Sequence, residues 1–248
     1  MSSINIAWCW PDILNLHGDR GNVMALIRIA EKMGIEAKVH KIVNYGDPID
    51  FENMDIVLFN PGEFKSNGYI INALSAVKND LDAYIEGNKV LLTVGTTGAA
   101  FGKTIQKLDG TAWSGLGYLD MHCKERDAIQ GDDLICRMRG TEFELNGSQI
   151  QVMDTFLDAD IALADVSYGF GNCGYENKQE GARYKNLYFT NILGPILVKN
   201  PWFTQWLILT ALKNRGETAP HILTDADFDI EYKSMECIRK YNETKHLK

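Results

Sequence analysis

The sequence predicts an α/β protein with a mostly parallel central sheet and additional β-strands in its second half. Three observations carry that expectation. Between Ile4 and Phe101, short apolar runs alternate with segments of helical periodicity. Three strand-like runs end in segments rich in Gly, Pro, Asn or Asp. From Tyr118 onward the apolar runs are short and separated by turn residues. Strands alternating with helices favour a parallel sheet covered on both faces.

Ile4 to Trp8 is a short apolar run, as expected of a buried strand. Asn22 to Met33 carries apolar residues at helical spacing, and Gly34 stops it. Ala37 to Val43 alternates as a strand does. Asp55 to Phe59 is a third strand, ending at Asn60-Pro61-Gly62. Tyr69 to Ile85 reads as one helix and Lys89 to Val94 as a fourth strand. That strand runs into Gly95-Thr96-Thr97-Gly98, followed by a helix carrying Ala99, Ala100 and Phe101. Binding sites in such sheets lie beyond the carboxyl ends of strands, here after Trp8, Phe59 and Val94.

In the second half, the runs at 118–121, 134–138, 143–153, 162–170 and 187–193 read as strands, several of them antiparallel. Asn146-Gly147 carries a hairpin-turn signal. Pro201 to Asn214 is a helix with Pro at its start and Gly216 after its end. Trp202 and Trp206 share a face of it, which points to core packing. Asp225 to Tyr241 is an amphipathic terminal helix, with a frayed tail from Asn242. No repeat or linker interrupts the chain, so residues 1–248 are expected to form a single domain.

Thirty-three acidic against 25 basic residues give a net charge of -8. Such a surface repels phosphate backbones and anionic lipid, which argues against nucleic-acid or membrane partners. The five cysteines form no CxxC pair and are odd in number, as suits reduced thiols in the cytoplasm. No basic leader or membrane-length apolar run is present. His17 and His122 have no partner at metal-ligand spacing, so neither metal nor cofactor is expected.

Four segments carry a resemblance, in order. Pro11 to Asn22 reads PDILNLHGDRGN. Leu116 to Asp120 reads LGYLD. Tyr168-Gly169-Phe170-Gly171-Asn172 is followed by Glu180-Gly181 and Tyr184-Lys185-Asn186-Leu187. Gly194 to Pro201 reads GPILVKNP. Together they resemble the glutaminase subunit of lipid II isoglutaminyl synthase, a branch of the cobyric-acid-synthase-like class I glutamine amidotransferases. The likeness spans roughly residues 5–215. It implies a flavodoxin-like three-layer fold, a Mur-ligase-like synthetase as partner, and a role in amidating a cell-wall precursor.

The same resemblance implies a missing reaction. A class I glutaminase attacks the glutamine side-chain amide with a cysteine thiolate while a histidine moves the proton. The family's Thr-Ile-Cys-Gly-Gly-Tyr-Gln aligns with Thr93 to Ala99, which puts Gly95 at the nucleophile position. Its Tyr-Leu-His-Gly-Pro aligns with Asn191 to Pro195, which puts Leu193 at the histidine position. A family glutamine falls on Ala99, and a substrate-holding arginine falls on Ala128, with Arg126 a nearby substitute. The family's Glu-Asn-His-x-Gly-Arg stretch has no counterpart around Gln151 to Phe156. The expectation is a scaffold without glutaminase chemistry.

Gly62, Glu63, Thr96, Thr97 and Arg126 remain as candidate binding residues. The Gly62 and Glu63 amides either still face the pocket as an oxyanion-type cradle or form an ordinary Pro-Gly turn. Asp19 is expected to cap helix amides and Gly21 to permit a tight turn; contact with a partner is the other reading of this segment. Two alternatives stay open: a repurposed small-molecule binder, and an active glutaminase using Thr96, Thr97 or Cys173.

Overall fold

The computed structural model describes residues 2–245. Its central sheet contains β1 (Ser3–Cys9), β2 (Glu36–Ile42), β3 (Ile56–Phe59) and β4 (Val90–Val94). These are joined by β12 (Leu187–Thr190) and the edge strand β11 (Ala182–Tyr184). The order is β11-β12-β4-β3-β1-β2, parallel throughout except for antiparallel β11.

Successive residues of these strands face opposite layers, so the apolar runs feed two cores. Ile4, Ile6, Ile56, Leu58, Val90 and Leu92 pack with α1 (Gly21–Lys32) and α5 (Pro201–Asn214). Ala7, Cys9, Val57, Phe59 and Leu91 pack with α2 (Ser66–Ala76) and α3 (Lys78–Glu86). This is the three-layer arrangement expected. Trp202 is buried, donates Nε1–H to the Glu144 carbonyl at 2.9 Å and stacks on Tyr232. Trp206 packs against Tyr188 and Phe203.

The second sheet is built around the long strand β7 (Met121–Met138). One side of β7 pairs with β8 (Glu144–Leu157), and the other with β5 (Thr104–Gln106) and then β9 (Ala164–Tyr168). The short strands β6 (Ala112–Ser114) and β10 (Gln179–Glu180) complete it. The β7–β8 register shifts between Glu125 and Gln130. A bulge there bends the strand locally.

Four sequence expectations are corrected. The helix expected over Tyr69–Ile85 is α2 and α3, broken at Val77 (φ -118°, ψ 28°). Apolar spacing continues across the break, so periodicity does not reveal it. β-Branched Val77 and Asp80 in the first turn of α3 both favour a new start there. The helix expected after Gly95 is a seven-residue 3-10 turn. The loop Leu116–Leu119 supplies the reason: the Leu116 and Leu119 amides donate to the Ala100 and Phe101 carbonyls at 2.8 and 2.9 Å.

Asn146-Gly147 lies inside β8, not in a hairpin turn. The β7–β8 turn falls between Met138 and Glu144, where Gly140 takes φ +73°. Gly147 is needed where the chain at Ile192–Leu193 crosses β8: a Cβ there would lie 2.3 Å from Ile192 Cγ2. Asn146 is buried, its backbone N–H donating to Asn200 Oδ1 at 2.9 Å. Finally, α6 (Asp229–Lys245) runs past Tyr241, and Asn242 is 2% exposed. The last residues of the tail, 246–248, lie outside the described residues. Among the described residues no helix is long and apolar enough to cross a membrane.

Candidate functional site

A cavity of about 400 Å³ opens where the carboxyl ends of β1, β3, β4 and β12 meet the bulge of β7 and the middle of β8. β4 runs straight into Gly95, whose φ of +64° is a left-handed conformation open to glycine at little cost. A sharp, strained turn after a strand is how an α/β-hydrolase presents its nucleophile. Here the turn presents a hydrogen atom. A Cβ on Gly95 would sit 3.0 Å from Pro61 Cβ and 3.2 Å from Leu193 Cδ2. The Leu193 methyl therefore fills the space directly before the turn.

Leu193 is held firmly. It pairs with Ser148 of β8 through Leu193 N–H to Ser148 O at 2.7 Å and Ser148 N–H to Leu193 O at 3.1 Å. Below it lies a buried polar network. Glu180 accepts from the Asn191 amide at 2.6 Å and from Thr190 Oγ1 at 2.8 Å. Asn172 accepts from the Gly181 amide at 2.7 Å and from Asn191 Nδ2 at 3.0 Å. Burial raises the Glu180 carboxyl above its ordinary range despite these donors.

A second network anchors the loop after β1. Asp19, Asn22 and Asn60 are fully buried. Asn22 Nδ2 donates to Asp19 Oδ1 at 3.2 Å and to Asn60 Oδ1 at 3.1 Å, while Asn22 Oδ1 accepts from the Leu197 amide at 2.9 Å. Asp19 is thus no side-chain cap: the residue preceding α1 is Arg20, without a capping side chain. Gly21 serves close packing, since a Cβ there would meet Pro195 Cγ at 2.5 Å. Two of the four resembling segments therefore pack on each other. Burial pushes the Asp19 carboxyl up to about 7.

Of the candidate binding residues, Gly62, Glu63, Thr96 and Arg126 all line the cavity. Thr96 Oγ1 donates to the Gly62 carbonyl. Among the described residues no protein acceptor takes up the Gly62 or Glu63 amide. The Glu63 carboxylate pairs with Lys65 at 2.6 Å. Arg126 leaves the β7 bulge, donates Nη1–H to Asp154 at 2.6 Å and lies 5.0 Å over the Phe170 ring. Thr97 turns the other way: it is buried, donates to the Val94 carbonyl and pairs with Thr93 Oγ1, each at 2.9 Å. Ala128 is exposed and outside the lining.

Sequence reading missed the aliphatic wall of Ile129, Ile150 and Val152. The signal was present: Ile150 and Val152 alternate with buried Gln149 and Gln151 along β8. His17 also lines the cavity, and partial burial lowers its imidazole pKa, so it is neutral near neutral pH. Cys173 is half-buried outside the lining, 3.0 Å from Asn177 Nδ2, and burial raises its thiol pKa. A raised pKa leaves little thiolate for attack. His122 pairs with Asp158 at 3.1 Å. Among the described residues no group of three or more His, Cys, Asp or Glu could hold a metal.

The lining thus offers hydrogen-bond donors and an apolar wall, but no thiol and no imidazole other than His17. No family model matches the chain. It is 34% identical over 220 residues to "Lipid II isoglutaminyl synthase (glutamine-hydrolyzing) subunit GatD" of Staphylococcus aureus (strain N315), covering 87% of each chain. It is 30% identical over 217 residues to the protein of the same name in Streptococcus pneumoniae, covering 86% of this chain and 82% of that one. A solved glutamine amidotransferase superposes with a TM-score of 0.54 at 16% identity, over 83% of this chain and 98% of that one. The fold is therefore that of a glutamine amidotransferase of the flavodoxin-like class I type.

Proposed function

Since the chain belongs to the family of lipid II isoglutaminyl synthase GatD subunits, we propose that it is an amidotransferase-like subunit without glutaminase activity. It serves a Mur-ligase-like synthetase as a structural or regulatory partner, in the cytoplasm, in amidating a cell-wall precursor. The partner then draws on free ammonia or another nitrogen donor.

The observation behind this reading is the contact between Gly95 and Leu193. Cleaving a glutamine amide requires a nucleophile at the carbonyl carbon and a base to move its proton. The two positions that the resemblance assigns to those groups carry a hydrogen and an isobutyl group, packed against each other. Thr96 is a poor replacement, because its hydroxyl already donates to Gly62. Glutamine incubated with the chain, alone and with its ligase partner, is expected to release ammonia no faster than buffer. Turnover that disappears on Thr96→Val or Cys173→Ser would overturn the reading.

The apolar wall favours one second reading, a repurposed small-molecule binder. In that case a compound with an aliphatic body and one hydrogen-bond acceptor should raise the melting temperature of the isolated chain. Ile150→Glu should abolish the rise. A shift that persists in Ile150→Glu places the binding elsewhere.

A further inference from the structure

We propose that a cleft at the amino ends of the parallel strands, on the opposite side of the sheet from the cavity above, binds a small organic phosphate. The cleft measures about 490 Å³ and lies between α5 and the segments entering β4 and β12. That volume is in the range of small-molecule sites. It stands independently of the amidotransferase reading.

The charge pattern carries the inference. The chain has 33 acidic and 25 basic residues, yet this concavity contains Arg183 and Lys213 and no carboxylate. Nearby cations are already neutralised: Lys185 by Glu86, and Arg215 by Asp55 and Glu217. Among the described residues neither Arg183 nor Lys213 has a carboxylate at ion-pair distance.

Arg183 is also held in place. Its Nε–H donates to the Lys185 carbonyl at 2.7 Å, and its guanidinium lies 5.0 Å over Tyr188 and 5.5 Å over Trp206. Fixing a guanidinium before the ligand arrives lowers the entropy lost on binding. Its terminal nitrogens can take two oxygens of one phosphate, as a planar fork does. Lys213 supplies a second charge, suited to a dianion rather than a single carboxylate. Asn88 and Asn214 add amides at the rim, and Leu209 with the Trp206 indole offers an apolar surface for the organic part.

Calorimetry on the full chain at low ionic strength tests this, with AMP, adenosine, inorganic phosphate and succinate as probes. AMP is expected to bind saturably and adenosine not at all, with affinity falling as salt rises. Lys213 is exposed at the end of α5, so Lys213→Gln should keep the fold and weaken AMP about tenfold. Arg183→Gln should weaken it at least as much. Four results overturn the proposal: no saturable AMP binding, an unchanged affinity in Lys213→Gln, succinate binding as tightly as AMP, or inorganic phosphate binding more tightly than AMP.

Discussion

Gly147→Ala is expected to destabilise the fold by about 3 kcal/mol, at the upper end of what overpacking a core costs. The added methyl would lie 2.3 Å from Ile192 Cγ2 and 2.7 Å from the Leu193 carbonyl oxygen. Ile192 is fully buried and has nowhere to go. The carbonyl is backbone and already accepts from the Ser148 amide. Relief therefore means lifting the Ile192–Leu193 segment off β8, which also opens the wall in front of Gly95. Gly140→Ala is the control. Gly140 has φ +73° and open space around its Cβ position, so it reports backbone strain alone, about 1 kcal/mol. Urea unfolding compares the two. A Gly147→Ala loss no larger than that of Gly140→Ala would sink the packing argument.

Asp19→Asn is expected to flatten the pH dependence of stability between about pH 4 and pH 7. Burial pushes the Asp19 carboxyl from its ordinary 3.8 up to about 7, against the opposing pull of Asn22 and the Gly194 amide. Below the unfolded value both states hold the proton and the folded chain has the full benefit of a neutral group. As pH rises toward the folded value, the unfolded chain loses its proton first and stability falls. Above about 7 both states are ionised and the loss is complete. At about 1.4 kcal/mol per unit, the upper bound is about 4 kcal/mol. Glu180, also raised by burial, adds a fall of the same sign. An asparagine cannot ionise, so the variant should lose the Asp19 part of the slope. Equal slopes for variant and parent in urea titrations at several pH values would remove Asp19 as the cause.

Ammonia assays and melting shifts probe two parts of one cavity, whereas AMP calorimetry probes a second place in the molecule, so its failure leaves the cavity readings standing. The Gly95–Leu193 contact bears on chemistry, the Ile150 wall on small-molecule binding, and Arg183 with Lys213 on the amino-end cleft.

By itself, the sequence determined the elements whose signals are local. The short, mostly apolar runs at β1, β3 and β4, alternating with helical segments, pointed to a covered parallel sheet. Pro201 and the residues before Gly216 bounded α5 correctly, because caps act within a turn. The assignment of Gly95 and Leu193 to the family's nucleophile and histidine positions is what the resemblance implies, and it rests on the order of the motifs alone. The tertiary structure decided whatever depends on distant segments meeting. Asn146-Gly147 has the chemistry of a turn, but contact with Ile192 and Asn200 places it inside a strand. Thr96 and Thr97 are neighbours of one type, and only the 3-10 geometry sends one to the cavity and the other to the core. Ile150 and Val152 become a cavity wall, and Arg183 and Lys213 become a pair, only after the chain has folded back over many residues. Local backbone preferences are written residue by residue, whereas the surroundings of a side chain are set by the whole fold.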